Sequence, residues 1–395
     1  MAEDTHEQRR SAFAADARLR RRYRAERRFR ACCIAALGLA VAFLVVFFAD
    51  MIATGYSAFV QTEIRVEVSY DEQAVRVPPT AVDESVRPFV SRGFLRTIPA
   101  AVRADPELAG TSRTQWVLAK ADVDQFRKGQ AVGLSTAAAE RVRALERQGR
   151  LRFGFNHWLF THGDSKIPEM AGLKSAIIGS LYVLTLTLAF AFPIGVMTAI
   201  YLEEFAPDNR FTQAIEININ NLAAVPSILF GLLGLAIFIN FFGVPRSSAV
   251  AGGLTLGLMT LPVVIISARA ALRAVPDAIR EGALAVGATR WQTVRDHVLP
   301  VSLPGILTGT IIGLAQAMGE TAPLLLVGMI AYIPDAPTTF TDAATVLPAQ
   351  IFTWAGMPER AYVERTAAAI LVLLAVLIAL NAAAVLLRRR FERRW

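Results

Sequence analysis

The chain is 395 residues long, with 54% hydrophobic residues, only 19% charged ones and a formal net charge of +8. So apolar a balance excludes an ordinary soluble domain. The positive excess raises nucleic-acid binding, but most of it stands immediately beside apolar runs. Membrane topology and anionic lipid headgroups account for it there, so the expected contact is membrane lipid and no nucleic acid.

Residues 1–30 are an Arg-rich tail, with Arg9, Arg10, Arg18, Arg20, Arg21, Arg22, Arg24, Arg27, Arg28 and Arg30. Residues 31–53 hold the first apolar run, Ala31–Ala49, long enough for a transmembrane helix. It exceeds a signal-peptide core, and the stretch Phe43 to Phe48 leads into no A-x-A site, so it reads as a retained span. Cys32 and Cys33 are adjacent at its edge with no second pair, the pattern of plain thiols rather than of metal ligands.

Residues 54–170 have soluble composition and read as a small α+β domain outside the cytoplasmic membrane. Ile64-Arg65-Val66-Glu67-Val68 alternates as a strand, and Val117-Leu118-Ala119 suggests another. Ala137–Arg150 predicts a helix ended by Gly149, and Pro78, Pro79, Pro88 and Pro99 break the middle. His157 and His162 stand near Asn156 and Asp164 without a third ligand. They predict a polar approach to the next span, and no metal site.

From residue 171 to residue 388 the apolar runs crowd together: Ser175–Leu202, Ile217–Pro245, Ser247–Ala268, Val298–Pro334 and Thr366–Leu387. Each is long enough for a hydrocarbon core of about 30 Å, which takes roughly 20 helical residues. None alternates like a barrel strand, so an all-α polytopic membrane protein with six transmembrane helices follows. Arg269, Arg273, Arg280, Arg290 and Arg295 stand between the fourth and fifth spans, and Arg388, Arg389, Arg390, Arg393 and Arg394 close the chain, whose residues 389–395 form a basic tail. The opposite side holds only Arg246, Arg360 and Arg365, so both termini are expected in the cytoplasm. The Pro-rich connection Pro334–Arg365, with Trp354 taken as exposed, reads as an outer loop that meets a partner.

The cytoplasmic stretch 275–300 predicts two short helices. Pro276 and Asp277 suit a first turn, and Ile279, Ala283 and Val286 share an apolar face. Gly287 falls where a left-handed cap belongs, and Thr289 with Gln292 forms a capping box that starts a second helix running to Leu299-Pro300. An ordinary amphipathic loop fits the same pattern.

Glu281-Gly282-Ala283, three residues, Gly287 and then Leu299-Pro300 resembles the EAA motif of ABC importer permeases, with Gly282 in place of the second Ala and His297 in place of an apolar residue. The resemblance implies a type-I permease core in which these residues, with Arg290, dock on an ATP-binding subunit. Val225-Pro226-Ser227-Ile228-Leu229-Phe230-Gly231 and, above all, Gly319-Glu320-Thr321-Ala322-Pro323-Leu324 look like the PstA family of phosphate transport permeases, from about Leu173 to the C-terminus. That resemblance implies a multi-pass protein of the bacterial inner membrane. It also implies a PstC-like second permease, a PstB-like ATPase dimer and a soluble, periplasmic PstS-like phosphate-binding protein as partners. The chain has no G-x-x-x-x-G-K-[ST] loop, so ATP is expected on the partner and no cofactor on this chain, which is not expected to be an enzyme. The rival readings are a sulfate or molybdate permease, which should lack G-E-T-A-P, and a passive channel or a signalling scaffold, which needs no ATPase-docking hairpin.

Glu320 is the one ionisable side chain deep in any span. Such residues usually face an aqueous path or a partner. At i and i+4, Gln316 and Glu320 should share a helix face. Pro323 lacks an N–H and should interrupt the helix near Gly319, with Thr321 beside it as a neutral donor. The alternative is a structural Glu320 bonded to Asn218, Asn220 or Asn221. Many PstA-like sequences carry Arg where Gln316 stands, so either a cation for the anion comes from another chain or the path relies on neutral donors such as Thr321.

Overall fold

The computed structural model describes residues 2–130 and 133–391. Arg393 and Arg394 of the basic tail therefore lie outside the described residues. The chain divides into two units, Met1–Ala53 and Thr54–Trp395. The first is occupied by helix α1, Ala2–Tyr56, which is continuous through residues 30 and 31. The Arg-rich tail and the first apolar run are thus one helix, as a sequence rich in Ala, Arg and Glu favours. Cys32 and Cys33 are exposed free thiols.

The second unit begins with a three-stranded antiparallel sheet in the order β2-β1-β3, built from β1 (Val60–Ser69), β2 (Ser112–Leu118) and β3 (Leu151–Phe155). Ile64 lies opposite Val117 on one side and Leu151 on the other. Ile64, Val66 and Val68 are buried while Arg65 and Glu67 face out, the alternation a half-buried strand requires. Helices α2 (Arg92–Ala104), α3 (Ala121–Arg127) and α4 (Thr136–Arg147) flank the strands. Ser135 caps α4 by accepting from the Ala138 N–H, and Gly149 takes a positive φ of 68° just beyond its end. Helix α4 and the first two strands match the sequence expectation. Strand β3 was not expected, and the sheet region belongs to the same unit as the apolar helices that follow.

Those helices are α5 (Lys174–Phe205), α6 (Arg210–Ala223), α7 (Ser227–Phe241), α8 (Ala249–Arg273), α9 (Asp277–Ala285), α10 (Arg290–Gly319), α11 (Ala322–Leu326), α12 (Leu347–Ala355) and α13 (Ala361–Phe391). Among the described residues, five helices are long and apolar enough to cross a membrane: α1, α5, α8, α10 and α13. A sixth crossing is counted only if α6 and α7 are taken together, and they meet at a bend of 104°. The expected span Ile217–Pro245 is thus a sharply bent pair of helices and counts as the sixth crossing only if the two are one span. Pro226 removes an N–H and turns the preceding residue away from helical backbone, so the run breaks there.

Helix α8 is the centre of the helical core. Gly305, Gly309 and Gly313 of α10 recur every fourth residue against Ala271, Ser267 and Thr260 of α8. A Cβ at these glycines would stand 2.8, 2.1 and 3.0 Å from the nearest atoms. Small residues on such a seam let two backbones approach within a membrane, where apolar burial alone gives helices no preference for each other.

The sheet region is fastened to the head of α13 by buried polar groups. Lys128 Nζ bonds Asp124 at 2.6 Å and Glu364 at 3.0 Å, and Ser57 Oγ donates to the other Glu364 oxygen at 2.6 Å. Arg365 is buried and donates to the Ala171 carbonyl at 2.7 Å. Trp354 is also buried, at 1% exposure, and its indole N–H donates to Asp164 at 2.9 Å. This corrects the expected exposed loop: Trp354 lies on α12 and packs beside Tyr362. Burial pushes the Asp164 carboxyl above its usual range. Asn156 bonds the Ala58 carbonyl and the Leu159 N–H, and His162 stacks on Trp158, so these polar residues hold the chain's approach to α5.

Candidate functional site

Helix α10 ends at Gly319. Glu320 then adopts extended backbone (φ −79°, ψ 128°), and the chain resumes as α11 with Pro323 in its first turn. The interruption expected from Pro323 is present. Its consequence for Glu320 differs from the helical-face argument, because Glu320 has left the helix that carries Gln316. Gln316 and Gly319 are exposed, Glu320 and Thr321 are half-buried, and Pro323 is buried. Among the described residues the Glu320 carboxylate makes no hydrogen bond or ion pair. Asn218 instead donates to the Ala214 carbonyl of its own helix at 2.7 Å. Among the described residues no side-chain hydrogen bond joins Glu320 to Asn218, Asn220 or Asn221 of α6.

The element that braces the interruption is α7. A Cβ on Gly231 would meet Pro323 Cα at 2.7 Å and its carbonyl oxygen at 2.9 Å, both backbone atoms that cannot swing aside. Glycine is required at that position by close approach. The two segments that resemble one family, around Gly231 and around Glu320, are therefore one packed unit. Gly231→Ala should force α7 off α11 and lower the thermal midpoint of the purified protein, at the cost of about 1–3 kcal/mol expected for overpacking. Gly282→Ala is the contrast: nothing lies within 4 Å of its Cβ, and helix propensity favours Ala by about 1 kcal/mol. Thermal unfolding in one detergent should separate the two, and equal midpoints would refute the brace.

The second candidate element is the hairpin of residues 275–300. Helix α9 ends in Gly287 at φ 91°, the left-handed position expected of it. Thr289 and Gln292 close the capping box in both directions, at 3.3 and 2.8 Å. The second helix does not stop at Pro300, however. It runs unbroken from Arg290 to Gly319, with a π-helical turn at Val294–Val298. That wider turn lies where Pro300 removes an N–H, so the missing bond is absorbed rather than ending the helix. Val286 is likewise corrected: Ala283 is buried and Ile279 half-buried, but Val286 is 85% exposed. Leu284 and Trp291 are exposed with it, as are Glu281, Gly282 and Arg290, so the tip of the hairpin presents an apolar knob amid polar residues.

A clamp holds α9 in place. Arg280 donates to Glu204, at the end of α5, at 2.9 Å, and to the carbonyls of Leu272 and Val275 at 2.9 and 2.7 Å. The bond to Glu204 raises the Arg280 guanidinium above its ordinary value. Beside it, Glu203 pairs with Arg269 at 3.3 Å and Arg273 at 2.7 Å, and Arg269 also bonds Glu216 of α6. The hairpin is thereby tied directly to the end of α5 and to the last turn of α8, and α8 in turn to α6. Sequence reasoning counted these arginines as topology markers alone. The acidic pair Glu203-Glu204 at the end of an apolar run was the signal for their partners.

The family described as "Binding-protein-dependent transport system inner membrane component" matches residues 191–395, more than half of the chain. The chain belongs to that family. As a multi-pass inner-membrane component it carries the interruption and the hairpin within the matched part. A second family, described as "Domain of unknown function (DUF3333)", matches residues 16–87. The chain is 34% identical over 165 residues to the "Probable ABC transporter permease protein YqgI" of Bacillus subtilis (strain 168), covering 42% of this chain and 56% of that one. It is 34% identical over 224 residues to the "Phosphate transport system permease protein PstA 1" of Mycobacterium tuberculosis (strain CDC 1551 / Oshkosh), covering 56% of this chain and 73% of that one. A solved structure of the MetNI methionine ABC transporter in an inward-facing conformation aligns with 55% of this chain and 97% of its own, at 19% identity and a TM-score of 0.45.

Proposed function

We propose that the chain is a permease subunit of an ATP-driven importer of inorganic phosphate and supplies half of the translocation pathway. The observation that carries this reading is the open carboxylate of Glu320 at an interrupted helix, braced by Gly231 against Pro323. Transport sites are often built where a membrane helix breaks, because freed backbone groups and a half-helix end become available to the substrate. The PstA 1 relative, named as a phosphate transport permease, supports phosphate as the substrate. Gln316, Gly319, Glu320, Thr321 and Pro323 line the path on this reading, and the cation for the anion comes from a PstC-like second permease.

The hairpin takes the coupling role. Leu284, Val286 and Trp291 enter a groove of a PstB-like ATPase dimer, which binds the ATP, while Glu281 and Arg290 stand at the rim. The Arg280–Glu204 clamp carries the resulting movement to α5. Both termini are cytoplasmic, and the sheet region lies outside, where a PstS-like binding protein delivers phosphate. The test is uptake of labelled phosphate by cells holding the partner subunits, with and without this chain. Uptake that depends on the chain and is not competed by sulfate supports the reading. Uptake independent of the chain, or sulfate carried equally well, refutes it.

A further inference from the structure

The sheet region contains a basic cleft that the transport reading does not use. Backbone pairing brings two distant segments together there. Val90 bridges Ala119, the Ser91 N–H bonds the Leu118 carbonyl at 2.9 Å, and the Lys120 N–H bonds the Phe89 carbonyl at 2.8 Å. Ser91 also caps α2, accepting from the Gly93 and Phe94 N–H groups. The result is a cleft of about 700 Å³ lined by Arg87, Arg92, Arg96 and Lys120, with Pro88 and a single carboxylate, Glu84. Arg92 and Arg96 are one turn apart at the start of α2 and so share a face.

These cations are not spent on neighbours. Among the described residues Arg87, Arg92 and Arg96 form no ion pair, and only Lys120 is engaged, with Asp122 at 2.6 Å. The Arg87 Nε is buried and has no hydrogen-bond partner. A buried donor left unbonded is costly, and three unpaired guanidinium groups around one space that holds a single carboxylate leave an excess of positive charge that a bound anion would offset. Guanidinium groups match the oxygens of a tetrahedral oxyanion two at a time. Glu84 accepts but does not donate, so it suits an anion that keeps a proton, as phosphate does and sulfate does not.

We propose that this cleft binds free inorganic phosphate, at a site separate from the membrane pathway. The proposal goes beyond transport and holds whether or not the pathway carries phosphate. It gives the sheet region a role as a phosphate-responsive or phosphate-collecting module.

The experiment is acylation footprinting of the full chain in neutral phosphatidylcholine nanodiscs, read residue by residue with mass spectrometry. Phosphate bound beside Lys120 should hold its ammonium protonated and slow acylation about fivefold at saturation, while the exposed Lys166 is unaffected, as a charge-assisted contact at one amine requires. Protection should disappear in Arg87→Gln/Arg96→Gln and persist in Arg113→Gln, which alters an exposed arginine of β2. Circular dichroism of each variant checks that the fold is retained. The absence of protection in the unmodified chain, or equal protection by sulfate at the same ionic strength, overturns the proposal. Protection without added phosphate in discs containing anionic lipid would assign the cleft to a lipid headgroup, and overturns it too. Because the readout is Lys120 itself, it is independent of the outcome of any uptake assay.

Discussion

Gly287→Pro should leave the chain in the membrane and abolish ATP-driven uptake. Gly287 holds φ at 91°, and Pro is confined to about −65°, so the backbone between α9 and α10 cannot keep its course. The substitution also deletes the amide that donates to the Leu284 carbonyl at 3.0 Å. Helix α9 itself should persist, since Arg280 ties it to Glu204 and to two carbonyls. The damage is therefore local: Leu284 and Val286 lose their position relative to Trp291, and the knob proposed to enter the ATPase no longer has one shape. Gly287→Asn is the control, because Asn tolerates the left-handed conformation far better than other residues with a side chain. The expected pattern is loss of phosphate uptake and of ATPase pull-down with Pro, and retention of most of both with Asn. Normal uptake by the Pro variant would remove the hairpin from the coupling role.

The parts of this protein that were legible in its sequence are those set by local chemistry. Run length gave the long membrane helices, period-two alternation gave β1, and the Gly287 cap and the Thr289–Gln292 box came from adjacent residues. Pro323 correctly announced the break before α11. Pro226 carried the same signal for the bend between α6 and α7, but the apolar run through it hid the break. Trp354 was misread, and the buried pairings of Glu364 and Arg365 went unseen, because their partners, Asp164, Lys128 and Ala171, are about two hundred residues away in the chain. No periodicity reports such a pairing. The contact of Gly231 with Pro323 is of the same kind: each segment was visible, and their juxtaposition was not. Val286 failed for a different reason, because the helical face was extended one residue past the last helical turn, where the C-cap backbone turns the side chain outward.

Glu320→Gln is expected to give an assembled complex with little phosphate uptake. Phosphate near neutral pH keeps a proton on one oxygen, whereas sulfate keeps none. An ionised carboxylate only accepts hydrogen bonds. Glu320 can therefore receive the phosphate hydroxyl while repelling a fully deprotonated oxyanion, so that one group both attracts the right substrate and rejects the wrong one. A charge-assisted bond of this kind contributes about 1.5–3 kcal/mol, or roughly 10- to 150-fold in binding. The backbone fits the role: Glu320 is extended, half-buried and uncommitted to any neighbour among the described residues, at the point where α10 stops. Gln keeps the shape and gains a donor, but it removes the negative charge. Discrimination should then weaken along with rate, so sulfate competition with the residual phosphate uptake should become measurable. Restoring a cation with Gln316→Arg in the same chain should not rescue uptake, because Gln316 lies on the helix that Glu320 has left and an added cation cannot accept the hydroxyl. A structural Glu320 predicts the opposite set: unstable or unassembled complex with Gln, or full uptake and unchanged selectivity if the carboxylate is dispensable. Co-purification with the partner subunits, followed by uptake of labelled phosphate with sulfate as competitor, separates these outcomes. Full uptake by the Gln variant would leave Glu320 no direct part in handling the substrate.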